Sequence, residues 1–241
     1  MDLREDGLGG ACVADHWYYR AKFAAVAALL GASPAGSVLD VGAGTGFFSR
    51  QLLRRGDVTG ATCVDPGYAA DRDETVDGKP LLFRRSVACP NPGVVLLMDV
   101  LEHVAEDRAL LRSYVREVEC GTRFIVTVPA FSWLWSGHDV FLGHHRRYTL
   151  GQIRAVVESS GLVVEEACYL YAALFPLAAA SRLLGRLRAA VTGRDVVRSQ
   201  MRRCGRLSNN ALWAACRAEL WMFRRNRLFG LTAMVIARKA A

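Results

Sequence analysis

SVLDVGAGTGFFSRQLLRRG, residues 37–56, decides the fold. The apolar run from Val38 to Val41 predicts a short strand, Gly42, Gly44 and Gly46 a tight turn, and the amphipathic stretch after them a helix that stops at Gly56. Strand, glycine turn and helix open a βαβ unit. A dinucleotide fingerprint places its third glycine one position later, where helix packs closely on strand, and Phe47 stands there. The turn therefore favours a different nucleoside ligand, lying against backbone that has no Cβ and near the free amides of a helix N-terminus.

The flanks extend the pattern. Residues 61–67, ATCVDPG, read as a second strand whose C-terminal end carries Asp65, a carboxylate able to accept both hydroxyls of an unmodified ribose. PLLFRRSV (80–87) is a weaker third strand, GVVLLMDV (93–100) an apolar run suited to a strand buried on both faces, and RFIVTVPA (123–130) a fifth. A helix over 150–159 closed by Gly161, a strand over 162–170 and a last strand over 230–239 follow. Upstream, the Ala-rich aromatic stretch 14–30 predicts a helix ending before Gly31 and a Ser-Pro-Ala-Gly turn at 33–36. The expected architecture is α/β, a Rossmann-like, doubly wound, mostly parallel seven-stranded sheet with its ligand at the carboxyl ends of the strands.

Length and charge bound the rest. The 241 residues, 52% hydrophobic, suit one large domain with an elaboration. Seven cysteines scattered without a CxxC imply neither a disulfide framework nor a structural zinc site, and the acidic N-terminus lacks the apolar core of a signal peptide, so a cytoplasmic protein is expected. The net charge of +8 is concentrated: twelve Arg face only Asp195 and Glu219 between residues 172 and 228. That segment, set between the last two strands, predicts two helices, roughly 172–191 and 206–225, with Gly193 near the break. The uncharged stretch that leads into it, 167–181, is fifteen residues, too short to span a bilayer, so the segment reads either as a lid with a basic rim or as a surface peripheral to the inner membrane face, with Arg182, Arg186 and Arg188 toward headgroups. Trp213, Trp221 and Phe223 recur as a packing face would, and with no nucleic-acid module present, nucleic acid is not an expected partner.

VLDVGAGTG, the Asp65 strand end, LLMDVLEHV and FIVTVPA together resemble the successive motifs of class I S-adenosylmethionine-dependent methyltransferases, over about residues 14–170. HWYYRAKF and the run HDVFLGHHRRYT are similar to a bacterial subgroup of that family. The resemblance implies S-adenosyl-L-methionine as cofactor and S-adenosyl-L-homocysteine as product. It places Asp40, Gly42, Gly44 and Gly46 under the methionyl part and ribose, Asp65 on the ribose hydroxyls, and Asp99 and Val100 near the amino group or sulfur, with Leu101 to His103 starting the next helix. The acidic residue that often meets the adenine amino group is not evident at RRSVACP, which leaves backbone near Val87 and packing against Pro66; Arg20 or Tyr19 can reach the cofactor carboxylate, or belong to an aromatic stripe packed on the sheet.

The run at 138–149 then lies over the mouth that holds the methyl donor, and three readings stay open. A metal site is not implied, because adjacent His144 and His145 diverge and no glutamate or cysteine nearby completes a set with His138 and Asp139. An acid/base role suits His138 or His145, with Asp139 fixing the ring. A structural loop is equally open: Thr149 is a good helix cap, and Arg146, Arg147 and Tyr148 can lock the turn to the sheet, even with Trp135, Arg146 or Tyr148 also binding substrate. The expected organisation is a single methyltransferase domain, 1–241, with an N-terminal helix (14–30), a cofactor-binding core (36–170), the Arg-rich insertion (172–228) and a last strand (229–241). The expected reaction is methyl transfer to a small or lipophilic acceptor, anionic or neutral, with oxygen preferred over nitrogen or carbon. The alternative is a non-catalytic protein of the same fold that binds a lipid or membrane partner through the insertion. The sequence sets no oligomeric state.

Overall fold

The computed structural model describes residues 15–31, 36–88, 91–192 and 205–240, and side chains within them except at 188–192. Residues 1–14, the turn at 33–36 apart from Gly36, and Gly193 lie outside the described residues. Eight strands form one sheet in the order β3-β4-β2-β1-β5-β6-β8-β7. They are β1 (Ser37–Val41), β2 (Gly60–Val64), β3 (Arg72–Val76), β4 (Lys79–Arg84), β5 (Val94–Met98), β6 (Arg123–Pro129), β7 (Leu162–Leu170) and β8 (Thr232–Lys239). The pairs from β4 through β2, β1 and β5 to β6 are parallel, whereas β8 runs antiparallel between β6 and β7.

The sheet has one strand more than the seven expected. Asp77 and Gly78 both adopt positive φ, 49° and 77°, which is the geometry of a two-residue hairpin turn matched to strand twist. They fold β3 antiparallel onto β4, and Arg72, Asp73 and Glu74 put charge on the new outer edge, where unpaired backbone would otherwise recruit another strand.

Helices cover both faces. On one face α1 (Trp17–Leu30), α2 (Phe47–Arg55) and α7 (Arg206–Glu219) pack over Val38, Val94, Leu96, Met98 and Ile125. On the other, α3 (Asp107–Glu117) and α5 (Leu150–Ser159) cover Leu39, Val95, Leu97, Phe124 and Val126. All five residues of β5 are buried because alternate side chains feed two cores, which explains its unbroken apolar sequence. Two elements differ from expectation. Leu101–His103 forms a separate 3₁₀ turn rather than the start of α3, and the second helix of the insertion ends at Glu219, followed by a short turn at Phe223–Arg225. Trp221 is accordingly 93% exposed while Phe223 is buried, so the two do not share one packing face.

The insertion is tied at both of its helices, one to α1 and the other to the loop after β6. In α7, Asn209 accepts from the Trp17 amide (2.9 Å), and Trp213 stacks on the Arg20 guanidinium (4.5 Å to the ring centroid). In α6 (Phe175–Thr192), Arg182 donates to the Ser136 hydroxyl and Arg186 to the Trp135 carbonyl (3.4 Å). Those two arginines therefore face the protein, not a membrane headgroup layer as the sequence reading had them. No helix among the described residues is long and apolar enough to cross a membrane.

Candidate active site

The carboxyl ends of the strands bend sharply, and each bend sets a functional side chain. The β1 turn runs through Gly42, Gly44 and Gly46 with φ of 64°, 53° and 72°. A Cβ at Gly42 would meet Val100 Cγ2 at 2.8 Å, so a side chain is excluded by contact as well as by conformation. Asp65 holds this turn in shape: its carboxylate accepts from the Gly44 amide (3.0 Å) and the Gly67 amide (2.9 Å), and Tyr68 donates to the Gly44 carbonyl (2.7 Å). Each Asp65 oxygen keeps acceptor capacity for a further hydroxyl.

Asp40 sits beneath the turn, 1% exposed. Ser49 donates to its Oδ2 (2.8 Å), whereas Oδ1 is buried without a hydrogen-bond partner. Burial pushes the Asp40 carboxyl up to about 6, against the pull of Ser49. An orphaned buried acceptor beside a bare glycine turn fits a ligand that brings its own cation.

Asp99, just past β5, adopts φ 57° and is held from three sides. Its Oδ2 takes a short contact from the Lys22 ammonium and a longer one from Tyr18 (3.3 Å), and its Oδ1 accepts from Thr127 (2.9 Å). Burial would raise this carboxyl, but the charge and hydrogen bond of Lys22 outweigh it and keep it below the usual range. Lys22, fully buried, also donates to Tyr18 (2.7 Å), one helical turn away.

Two hollows flank these groups. The larger, about 480 Å³, is lined by Gly42, Val64, Pro66, Val87, Val100 and Tyr114, which brings together Pro66 and Val87, expected at the base, with Gly42 and Val100, whereas Asp40, Gly44, Gly46 and Asp65 are not in its lining. The smaller, about 220 Å³, is walled by Tyr18, Tyr19, Met98 and Asp99 on one side and by His138, His144, Arg147 and Arg182 on the other. Ala178 and Arg182 of α6 complete it, which lays the insertion over the cavity.

The 138–149 run divides inward from outward. Asp139 is its hub: fully buried, it accepts from Arg147 Nε (2.7 Å) and Nη2 (3.1 Å), from the Ser136 amide (2.9 Å), and pairs with His144 Nδ1 (2.9 Å). Burial opposes ionisation, yet the hydrogen bonds of His144 and Arg147 win and hold Asp139 far below the ordinary carboxylate range. An ionised carboxylate only accepts, so the His144 proton lies on Nδ1. His138 lines the cavity, and burial lowers its imidazole to about 4 despite the nearby charge of Asp139, so it is neutral at physiological pH.

Several expected residues lie elsewhere. His145 is exposed and outside the cavity lining; its neighbour His144 takes the inward place and the Asp139 contact. Trp135, Arg146 and Tyr148 are not in the lining either. Tyr148 is buried and donates to Asp107 (2.8 Å), and Arg146 binds Asp107 (3.4 Å) and the Ala105 carbonyl (2.6 Å), both as locks between the loop and the start of α3 rather than the sheet. Thr149 caps α5 in a reciprocal pair with Gln152. Arg20 stacks on Trp213 and lines neither hollow, whereas Tyr19 lines the smaller one.

Sequence reading gives no site role to Lys22, Glu102 or His103, takes Arg147 only as a lock on the loop and turns Arg182 toward headgroups; all five line the smaller hollow or, for Lys22, hold a residue that does. A lone lysine in the apolar AKFAAVAALL, four residues after Tyr18, was the available signal for the first. Glu102 is fully buried and neither of its carboxylate oxygens has a hydrogen-bond partner; burial and the nearby Asp99 charge raise its carboxyl well above normal.

A glycine cradle and an acidic strand end at the C-terminal edge of a doubly wound sheet define a Rossmann-like class I methyltransferase fold. Residues 14–167 match the family described as "Methyltransferase domain", and the chain belongs to that family of S-adenosylmethionine-dependent enzymes. No curated protein matches the sequence. Among solved structures, a Galdieria sulphuraria protein provisionally assigned as a sarcosine dimethylglycine methyltransferase is 16% identical with a TM-score of 0.53, covering 91% of this chain and 84% of its own. Phosphoethanolamine N-methyltransferase 2 of Haemonchus contortus, solved with phosphomonomethylethanolamine and S-adenosylhomocysteine, is 13% identical at 0.53, covering 92% of this chain and 53% of its own. The plantazolicin methyltransferase BamL is 12% identical at 0.51, with 98% and 88% covered. At such identities these likenesses speak for the fold.

Proposed function

We propose that this chain transfers the methyl group of S-adenosylmethionine to an oxygen of a small or lipophilic, anionic acceptor bound in the smaller cavity. The observation that carries the reading is that this cavity is lined by Asp99, next in sequence to Val100 of the larger hollow, and by Tyr19, whose ring meets Phe47 just after the glycine turn (5.5 Å between centroids), and is rimmed by the cations Arg147 and Arg182 and the neutral His138. On this reading the glycine turn and the Asp65 carboxylate that shapes it hold the nucleoside, Pro66, Val87 and Val100 pack the base in the larger hollow, and Asp40 Oδ1, buried without a partner beneath the turn, meets the donor's ammonium group. The donor supplies an electrophilic methyl on a positively charged sulfur. The chain's own work is to hold the acceptor in line with that methyl, to exclude water with α6, and to accept the hydroxyl proton at His138 Nδ1 or Nε2. Arg182, which α6 carries into the wall, and Arg147 attract an anionic acceptor group.

The test is release of S-adenosylhomocysteine from labelled donor across a panel of hydroxyl, carboxyl and amine acceptors. Turnover is expected with anionic hydroxyl compounds. Cofactor binding without transfer to any member of the panel defeats the reading and favours the non-catalytic alternative. One observation supports a second property: Leu177, Leu184 and Leu187 project from the face of α6 opposite Arg182, 57–69% exposed. That face suits peripheral contact with a lipid surface, and failure to co-sediment with anionic vesicles removes it.

A further inference from the structure

We propose that Glu102, His103 and His144 form a binding site for a divalent first-row transition-metal ion in the wall of the acceptor cavity. Each offers one ligand atom, and the three atoms lie within 4.8 Å of one another. All three residues line the cavity.

The Glu102 carboxylate gives the independent reason. It is 0% exposed and both oxygens lack a hydrogen-bond partner. A buried carboxyl left this way is desolvated without compensation, and side chains of this kind persist where a cation or a functional role offsets that cost. Lys22, a cation close enough to act on Glu102, is already bound to Asp99. Two imidazoles complete the set, His103 and His144, with ring centroids 4.6 Å apart and planes at 83°.

The surroundings are arranged as a metal site requires. Asp139 fixes the proton of His144 on Nδ1 (2.9 Å), which leaves Nε2 as the nitrogen available to an ion. A carboxylate behind a ligating imidazole sets its tautomer and raises its basicity. The same Asp139 is anchored by Arg147, so the ring is held on a rigid support. The His145 amide donates to the Glu102 carbonyl (2.7 Å), and this bond ties the loop after β5 to the loop after β6 and brings the ligands together. Glu102 comes from a motif remote in sequence from the histidine run, which is why the run alone lacked a glutamate.

Two imidazoles and one carboxylate select borderline ions, from Mn²⁺ to Zn²⁺, over Mg²⁺ or Ca²⁺, which prefer oxygen throughout. Three protein ligands leave at least one coordination position open, as in catalytic rather than structural sites. An ion there would polarise an acceptor hydroxyl and lower its pKa. That use rests on the oxygen-acceptor reading above; the site itself does not.

The experiment is a Co²⁺ titration of the full chain, stripped beforehand with chelator, followed by visible absorption, with S-adenosylhomocysteine binding measured on the same samples. The expected result is one Co²⁺ per chain with ligand-field bands and no intense near-ultraviolet thiolate band. Glu102→Gln and His144→Gln should each weaken uptake at least tenfold, and Asp139→Asn by about 10–100-fold. If Glu102→Gln does not fold, judged by its circular dichroism and melting, His144→Gln decides alone. No uptake by the wild type, uptake unchanged in both ligand variants, or a thiolate band would each overturn the site. Loss of Co²⁺ binding with S-adenosylhomocysteine still bound would sink the metal alone; failure to bind S-adenosylhomocysteine would instead sink the methyltransfer reading.

Discussion

Asp40→Asn should change how stability depends on pH, by an amount the burial of Asp40 sets. Burial lifts its carboxyl from 3.8 to about 6 in the folded chain. At about 1.36 kcal/mol per unit, the shift corresponds to about 3 kcal/mol. Because the folded value is the higher one, the folded state holds this proton more tightly than the unfolded state. The stabilisation is fully present below about 4 and is lost as pH rises through about 6. Asparagine keeps the shape and cannot titrate. The stability difference, variant minus wild type, should therefore move by about 3 kcal/mol in favour of the variant between about pH 4 and pH 7. For a chain of this size that is roughly 6–12 °C in relative melting temperature. The comparison cancels any constant cost of the amide beside the unpaired Oδ1 position. Urea or thermal unfolding of both proteins across that range, without cofactor, reads it. Parallel curves would show that Asp40 ionises as in the unfolded chain and would refute the reasoning. A linked measurement follows: if the donor's ammonium meets Asp40, wild-type affinity for S-adenosylhomocysteine should fall about tenfold from pH 7 to pH 5, and the variant should show no such fall.

Gly42→Ala places a methyl 2.8 Å from Val100 Cγ2 at φ 64° and should cost about 1–2 kcal/mol from conformation alone, with a loss of S-adenosylhomocysteine affinity seen by calorimetry. Tyr148→Phe removes the bond to Asp107 and should lower unfolding free energy by about 1.5–3 kcal/mol while leaving cofactor affinity unchanged; a change confined to affinity would place Tyr148 in the binding machinery instead. Arg147→Met leaves Asp139 buried with less compensation and should destabilise by roughly 3–5 kcal/mol in urea unfolding. Arg182→Ala should raise KM for an anionic acceptor more than it lowers kcat, and an effect on neutral and anionic acceptors alike would contradict an electrostatic role.

What the sequence disclosed follows from the range of the forces involved. The β1 turn was legible because three glycines in five residues leave few alternatives, and β5 because only a strand buried on both faces carries such an apolar run. The β3–β4 hairpin was also written locally, in Asp77-Gly78, though β3 itself is charged and lacks the apolar signature of a strand. The choice between His144 and His145 was not local. Adjacent residues point apart, and which one turns inward depends on the His145 amide reaching the Glu102 carbonyl across two loops. Arg146 and Arg147 divide in the same way: one reaches Asp107 at the start of α3 and the other Asp139 inside. Arg182 joins the cavity only because α6 lies over it, a placement no nearby residue encodes.

Three strands in succession, β5, β6 and β7, leave the sheet near a residue in the left-handed region: Asp99 at 57°, Phe131 at 57° and Tyr171 at 66°. For bulky side chains such a backbone is unfavourable by roughly 1–2 kcal/mol each. Asp99 aims its carboxylate at Lys22, and Tyr171 stacks on Tyr18 (5.1 Å between centroids) and donates to its carbonyl (2.6 Å). Glycine at Asp99 or Tyr171 would relax the backbone and delete the side chains that steady Tyr18 and Lys22. Those losses outweigh the strain: truncating the fully buried Tyr171, or leaving the fully buried Lys22 without Asp99, costs about 3–5 kcal/mol, so the strained backbone is kept by what its side chains hold, and relaxing it with glycine should lower the melting temperature rather than raise it.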